Sequence, residues 1–224
     1  MNKFISYNNY LFESSIKKIN GTILFTDIIK SSELWKEHEK EMYSSLDKQN
    51  DLFSKIADYN KGEIIKTIGD AFMIHFENLI DAVKFSIEVQ KKIKESPLKV
   101  GSRKIQVRIG FCYGPLLFKT NNIQTCKLDD YYGNTVNTAS RLESKVSPEN
   151  GFAFGSLIKF DDKKIKKILD ENCTTKIIKF TENAKDIEFK RSGRLLTKTH
   201  RYIIKDVEEL KGVNEIEVYK CNLK

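Results

Sequence analysis

An α/β or α+β sandwich, with hairpins making its sheet mixed or antiparallel, is the fold predicted for this 224-residue chain. Three observations predict it. Strand-like apolar runs alternate with segments of helical periodicity. Turn chemistry, as in Asn60-Lys-Gly62 and Ser147-Pro-Glu-Asn-Gly151, separates them. Neither an internal repeat nor a low-complexity linker divides the chain, which is long enough for one substantial core. Residues 21–224 are therefore expected to form one domain, preceded by an extension over residues 1–20.

In the extension, Phe4, Ile5, Tyr7, Leu11, Phe12, Ile16 and Ile19 suggest a short helix or arm packed on the domain. The nearly continuous apolar run of 21–28 predicts a central strand. Ser31 or Ser32 can cap the following helix, whose stripe of Leu34, His38, Met42, Leu46, Phe53, Ile56 and Ala57 reaches about residue 59. Residues 63–76 read as two short strands meeting at Ile68-Gly69-Asp70, with Gly69 supplying the positive backbone angle of a tight hairpin. Asn78 can cap a helix with Ala82, Phe85, Val89 and Ile93 on one face, which Ser96-Pro97 interrupts. A strand over 104–114 follows, then a hairpin around Asn121-Asn122, a helix over 135–146, a short strand at Phe152-Ala-Phe154 and a helix over about 156–169. Lys176–Phe180, Ile187–Phe189, His200–Ile204 and Ile216–Tyr219 close the chain as short strands.

Composition excludes several function classes. Forty per cent apolar and 31% charged residues, with nine Tyr and fourteen Phe, describe a globular protein rather than a disordered one. No apolar run is long enough to span a membrane, and the first residues lack the apolar core and cleavage site of a secretory signal. Cys112, Cys126, Cys173 and Cys221 form no ligand-like pair, so free thiols in a reducing, cytoplasmic setting are expected. The net charge of +8 comes from lysines spread along the chain among 31 acids, which describes a solvated surface with mild attraction for polyanions, not a nucleic-acid groove.

The chemistry lies in a few polar residues set in apolar surroundings. Asp27 ends the run Gly21-Thr-Ile-Leu-Phe-Thr-Asp-Ile28, and Asp70 sits in Ile64-Ile-Lys-Thr-Ile-Gly-Asp-Ala-Phe-Met-Ile74. A carboxylate at the end of a buried strand is costly unless its charge is offset, and two in like contexts suggest a shared Mg²⁺ or Mn²⁺. On spacing alone, a turn or cap role for each stays open. A helix N-terminus near Ser31-Ser32 could present free N–H groups to a polyphosphate. Lys66 stands four residues before Asp70, hence on the same side of a regular strand. With Asp130 nearby it could read a base, the acid accepting from an exocyclic amine and the lysine donating to a ring nitrogen; otherwise it is a solvated edge residue. Asn137 and Arg141 share a helix face and could orient a ribose and stabilise charge on an α-phosphate, or could be a cap and a surface arginine.

These stretches resemble the catalytic domain of class III nucleotidyl cyclases, the family of adenylate and guanylate cyclases. Phe25-Thr-Asp-Ile28, Lys66-Thr-Ile-Gly-Asp-Ala-Phe72, Val107-Arg-Ile-Gly110 and Tyr132-Gly-Asn-Thr-Val-Asn-Thr-Ala-Ser-Arg-Leu-Glu143 stand in the family's order, and the resemblance covers about residues 20–220. It implies a ferredoxin-like α+β sandwich with a largely antiparallel mixed sheet flanked by helices. It also implies two Mg²⁺ or Mn²⁺ ions per site on Asp27, Asp70 and the Ile28 carbonyl. Lys66 and Asp130 match the base-reading pair in its adenine form, Asn137 and Arg141 the transition-state pair, and Lys211 a phosphate-binding lysine. The implied protein is a homodimeric adenylate cyclase turning ATP into 3′,5′-cyclic AMP and pyrophosphate, each cleft taking metal aspartates from one subunit and the remaining residues from the other. A cyclase of another base preference (cyclic GMP, CMP or UMP) and a catalytically silent nucleotide-binding module are the alternatives. Two departures stand out: Lys30 occupies a position where many members have glycine, and Tyr131-Tyr132 add bulk beside the base.

Overall fold

The computed structural model describes residues 16–123, 126–181 and 215–224. Ile23, Leu24 and Ile28 are shielded from solvent on both faces of strand β1 (Lys17–Ile28), as its apolar run demands. β1 lies between β3 (Ala71–Phe76) and the long β6 (Val107–Ile123), with β2 (Gly62–Ile68) at the edge beyond β3. On its other side β6 meets β8 (Gly151–Ser156) and, further along, β7 (Cys126–Tyr132), and β10 (Glu215–Leu223) and β9 (Cys173–Thr181) complete the sheet. Every pairing is antiparallel except β6 with β8.

Period-two alternation sends neighbouring side chains to opposite faces. Leu24, Ile74, Phe111, Phe152 and Phe154 meet α1 (Ser31–Glu37), α2 (Glu39–Tyr59), α3 (Leu79–Glu95) and α5 (Lys163–Asn172). Ile23, Met73, Cys112 and Ala153 face α4 (Asn134–Arg141) and the π-helical turn Leu142–Val146 that continues it. Gly110 makes that second contact close: a Cβ there would stand 1.9 Å from the Glu143 nitrogen. Gly110→Ala is accordingly expected to cost about 3 kcal/mol, because backbone rather than a pliable side chain would have to give. A urea midpoint equal to wild type would contradict this packing.

Several expectations shift. β1 begins at Lys17, pairing Lys17 with Phe118. The helix predicted over 31–59 breaks at His38, whose ring packs against Gly101 between the short strands β4 (Lys99–Val100) and β5 (Arg103–Lys104). Lys30, not a serine, takes the position before α1, and Asn78 precedes α3 without a side-chain capping bond. β6 runs on to Ile123, which pairs with Cys126, so the turn lies beyond Asn121-Asn122. The helix expected over 156–169 starts only at Lys163. Leu157 N–H instead donates to the Tyr113 carbonyl of β6 at 2.9 Å, and the Ser156 hydroxyl donates to the Ile158 carbonyl, which keeps this segment against the end of the β6–β8 pair. The strands predicted at 187–189 and 200–204 and the candidate Lys211 lie outside the described residues. Cys112, Cys173 and Cys221 are buried free thiols.

Candidate active site

The β1–β3 pairing, with Thr26 opposite Phe72, brings the end of β1 beside the turn that opens β3. Ile68 pairs with Ala71 across the two-residue turn Gly69-Asp70, and Gly69 adopts φ +64 as its first residue. Asp70 thus stands off the end of β2, in the turn and not on the strand that carries Lys66. Its carboxylate accepts the Ile28 N–H at 3.2 Å and a bond from the Ser31 hydroxyl. Its backbone carbonyl accepts from the buried Gln49 side chain of α2 at 3.0 Å. Burial, then the charge of Asp27, raise the Asp70 pKa above the usual carboxylate value despite these bonds.

Asp27 pairs in register with Arg108, and the two side chains meet, Nη2 to Oδ2, at 2.5 Å. Arg108 Nε also faces Glu143 Oε1 at 3.3 Å, and Nη1 reaches the Ser144 carbonyl at 3.4 Å. The Nε–Oε1 approach is close but misaligned: both atoms are buried and neither completes a hydrogen bond. The Glu143 side chain is 11% exposed. Burial pushes its pKa up to about 7, Arg108 opposing and Asp27 reinforcing the shift. Arg108 and Glu143 lie within the quoted sequence motifs, yet sequence reading gave them no role. The available signal was Arg108 alternating with the buried Val107 and Ile109, which puts a cation on the α4 face of β6.

Lys66 and Asp130 come together across the fold, Nζ to Oδ2, at 2.6 Å. The other Asp130 oxygen accepts the Tyr131 N–H at 2.9 Å, which fixes the carboxylate's orientation. Tyr131 does not crowd this place, because it is turned into the core, 5% exposed and stacked on His75 at 4.5 Å. Tyr132 is the exposed member of the two. Burial lowers the pKa of His75, with Glu63 and Glu77 pulling the other way. Asn137 is exposed on α4 and Arg141, one turn later, is half-buried. Lys30 has φ 58 in the left-handed region, the backbone conformation that favours glycine, three residues after Asp27. α1, which starts at Ser31, has seven residues, about two turns.

The family profile "Adenylate and Guanylate cyclase catalytic domain" matches residues 14–150. An adenylate cyclase of Schizosaccharomyces pombe is 34% identical over 159 residues, covering 59% of this chain and 9% of that protein. The rat (Rattus norvegicus) guanylate cyclase soluble subunit beta-2 is 28% identical over 140 residues, covering 57% of this chain and 20% of the subunit. The chain thus spans a small part of either relative. The guanylate cyclase domain of RhGC from Catenaria anguillulae, solved with GTP, superimposes with a TM-score of 0.64 at 20% identity, over 93% of this chain and 99% of that one. The mixed, largely antiparallel sheet flanked by helices is therefore the fold of that catalytic domain.

Proposed function

The chain belongs to the adenylate and guanylate cyclase catalytic-domain family, and from that premise we propose that it is an adenylate cyclase, forming 3′,5′-cyclic AMP and pyrophosphate from ATP. The ribose 3′-oxygen attacks the α-phosphorus, the bond to the bridging oxygen of the β-phosphate breaks, and pyrophosphate departs. The observation that carries the choice of ATP is the Lys66–Asp130 pair. A fixed carboxylate beside an ammonium suits a base edge with an exocyclic amine next to a ring-nitrogen acceptor. Adenine has that edge. Guanine offers a carbonyl oxygen and a ring N–H instead, and would set acceptor against acceptor and donor against donor.

The donor set suits a small divalent cation. Asp27 and Asp70 supply hard oxygens, and burial first, then the charge of Asp27, disfavours the ionised Asp70, a cost that a cation would offset. Among the described residues no cluster of three or more His, Cys, Asp or Glu could hold an ion alone. Mg²⁺ needs no such cage, since it is commonly held by one or two carboxylates plus substrate phosphates and water. Asp27, Asp70 and the Ile28 carbonyl would hold Mg²⁺ or Mn²⁺, two ions per site. Bound there, such ions lower the pKa of the attacking hydroxyl and neutralise the triphosphate. Asn137 orients the ribose, Arg141 meets charge developing on the α-phosphate, and Lys211 binds phosphate. Both residue sets occur in one sequence, so a C₂ homodimer with two equivalent clefts follows. The catalytic unit takes up residues 21–224, with strand β1 reaching back to Lys17 into the 1–20 extension.

A second reading, cyclisation of another triphosphate, has its own support: cytosine also shows an amine beside a ring-nitrogen acceptor, and the relatives include a guanylate cyclase subunit. Turnover of ATP, GTP, CTP and UTP side by side with Mn²⁺ tests this. ATP is expected to lead GTP and UTP by about a hundredfold or more, the penalty for leaving a polar pair mismatched, with CTP in between. Preference for GTP, CTP or UTP would overturn the assignment. Failure of the purified dimer to cyclise any of the four would favour a silent nucleotide-binding module.

A further inference from the structure

Arg108 is shared by two carboxylates that it cannot satisfy equally. Its Nη2 lies 2.5 Å from Asp27, while Nε and Glu143 Oε1, 3.3 Å apart and both buried, face each other without completing a hydrogen bond. Glu143 cannot adjust much. It is the second residue of the π-helical turn, whose backbone rests on Gly110 of β6, and the same turn offers the Ser144 carbonyl to Nη1. One side of the guanidinium is thus well bonded, and the other faces a fixed, unfinished seat.

We propose that Arg108 is a resident counter-ion for Asp27 and that Glu143 is the seat it moves onto when a divalent cation claims Asp27. Glu143 is then a positioning residue. It touches neither the cation nor the nucleotide, and it favours cation binding by accepting the arginine that the cation displaces. A guanidinium's rigid fork permits this exchange by a small rotation, since Nε and one Nη can engage a carboxylate together. The inference rests on Asp27 being a cation ligand.

The test is Mn²⁺ binding to the full chain without nucleotide, read by electron paramagnetic resonance of the free ion. Arg108→Gln should tighten binding, since the competitor is gone. Glu143→Gln should weaken it by about tenfold, the size typical of groups that act on a metal site through a ligand's partner. The double variant should bind like Arg108→Gln alone. If Glu143→Gln weakens binding equally with Arg108 present or absent, Glu143 acts through its field on the cation and the proposal is wrong. An unchanged affinity in Glu143→Gln also overturns it. Should that variant fail to fold, Glu143→Asp keeps the charge, shortens the reach and should shift binding in the same direction by less; no shift there counts against the proposal. Asp27→Asn separates the two ideas. If it leaves Mn²⁺ affinity intact, the metal reading of Asp27 fails, whereas loss of affinity there with no effect at Glu143 refutes only the counter-ion exchange.

Discussion

Asp70→Asn is expected to reduce nucleotide turnover by about a hundredfold or more, the scale of a lost charge-stabilising group at a reacting phosphate, while leaving the fold intact or firmer. The two halves of this expectation have separate causes. Activity falls because a neutral amide replaces one of two carboxylates proposed to hold the cations. Stability holds because the carboxylate is a burden in their absence: burial and Asp27 both disfavour its charge. An asparagine oxygen can still accept from Ile28 N–H and from Ser31, and the Gln49 bond goes to the backbone carbonyl, which the substitution spares. Turnover at saturating Mn²⁺ measured beside a calorimetric melting temperature checks both. Activity near wild type would refute the role of Asp70. Lost activity together with a melting temperature several degrees lower would show that the residue is chiefly structural.

The parts of this site legible in the sequence are those written locally. Asp27 and Asp70 stand out because each is an acid within an apolar run, and Gly69 announces the turn that presents Asp70. Lys66 and Asp130 form a conditional pair in the sequence, since no pattern within β2 or β7 tells that the two strands' side chains meet. The spacing from Lys66 to Asp70 misleads, because β2 ends at Ile68 and Asp70 belongs to the turn, where strand alternation no longer applies. Arg108 and Glu143 stayed silent for a related reason. Their meeting depends on a missing Cβ at Gly110 and on a π-helical turn, and only the glycine leaves a local trace.

The fold shows the same division. β1, β3, α3 and β8 follow from apolar runs and periodicity, because burial on one or both faces leaves that imprint. The break at His38 does not, since the helical stripe continues across it and the cause is a distant loop carrying Gly101. The delay of α5 to Lys163 is likewise tertiary at its start: Leu157 and Ser156 spend their hydrogen bonds on Tyr113 and Ile158, outside any helix. Propensity proposed helix in both places, and packing against a neighbour decided otherwise.

Mixing Asp70→Asn with Arg141→Ala, each nearly inactive alone, is expected to restore about a quarter of wild-type turnover. The figure follows from two-fold symmetry. With free exchange about half of the dimers carry one subunit of each kind. In such a dimer one cleft combines the damaged cation site of the first subunit with the damaged α4 of the second. The other cleft combines an intact Asp27–Asp70 pair with an intact Asn137 and Arg141. Half of the dimers with half of their clefts working gives the quarter. The design also separates the competing geometries, because a site complete within one subunit predicts no recovery at any mixing ratio. Turnover across a series of ratios, with subunit exchange followed by native mass spectrometry, is the measurement. The expected curve is a parabola peaking at equal amounts, since mixed dimers form in proportion to the product of the two fractions. A flat line at the level of the single variants, with mixed dimers visible in the spectrum, would end the shared-cleft reading. It would leave the family and the fold untouched, because those rest on the profile match and on the sheet rather than on which subunit supplies Arg141.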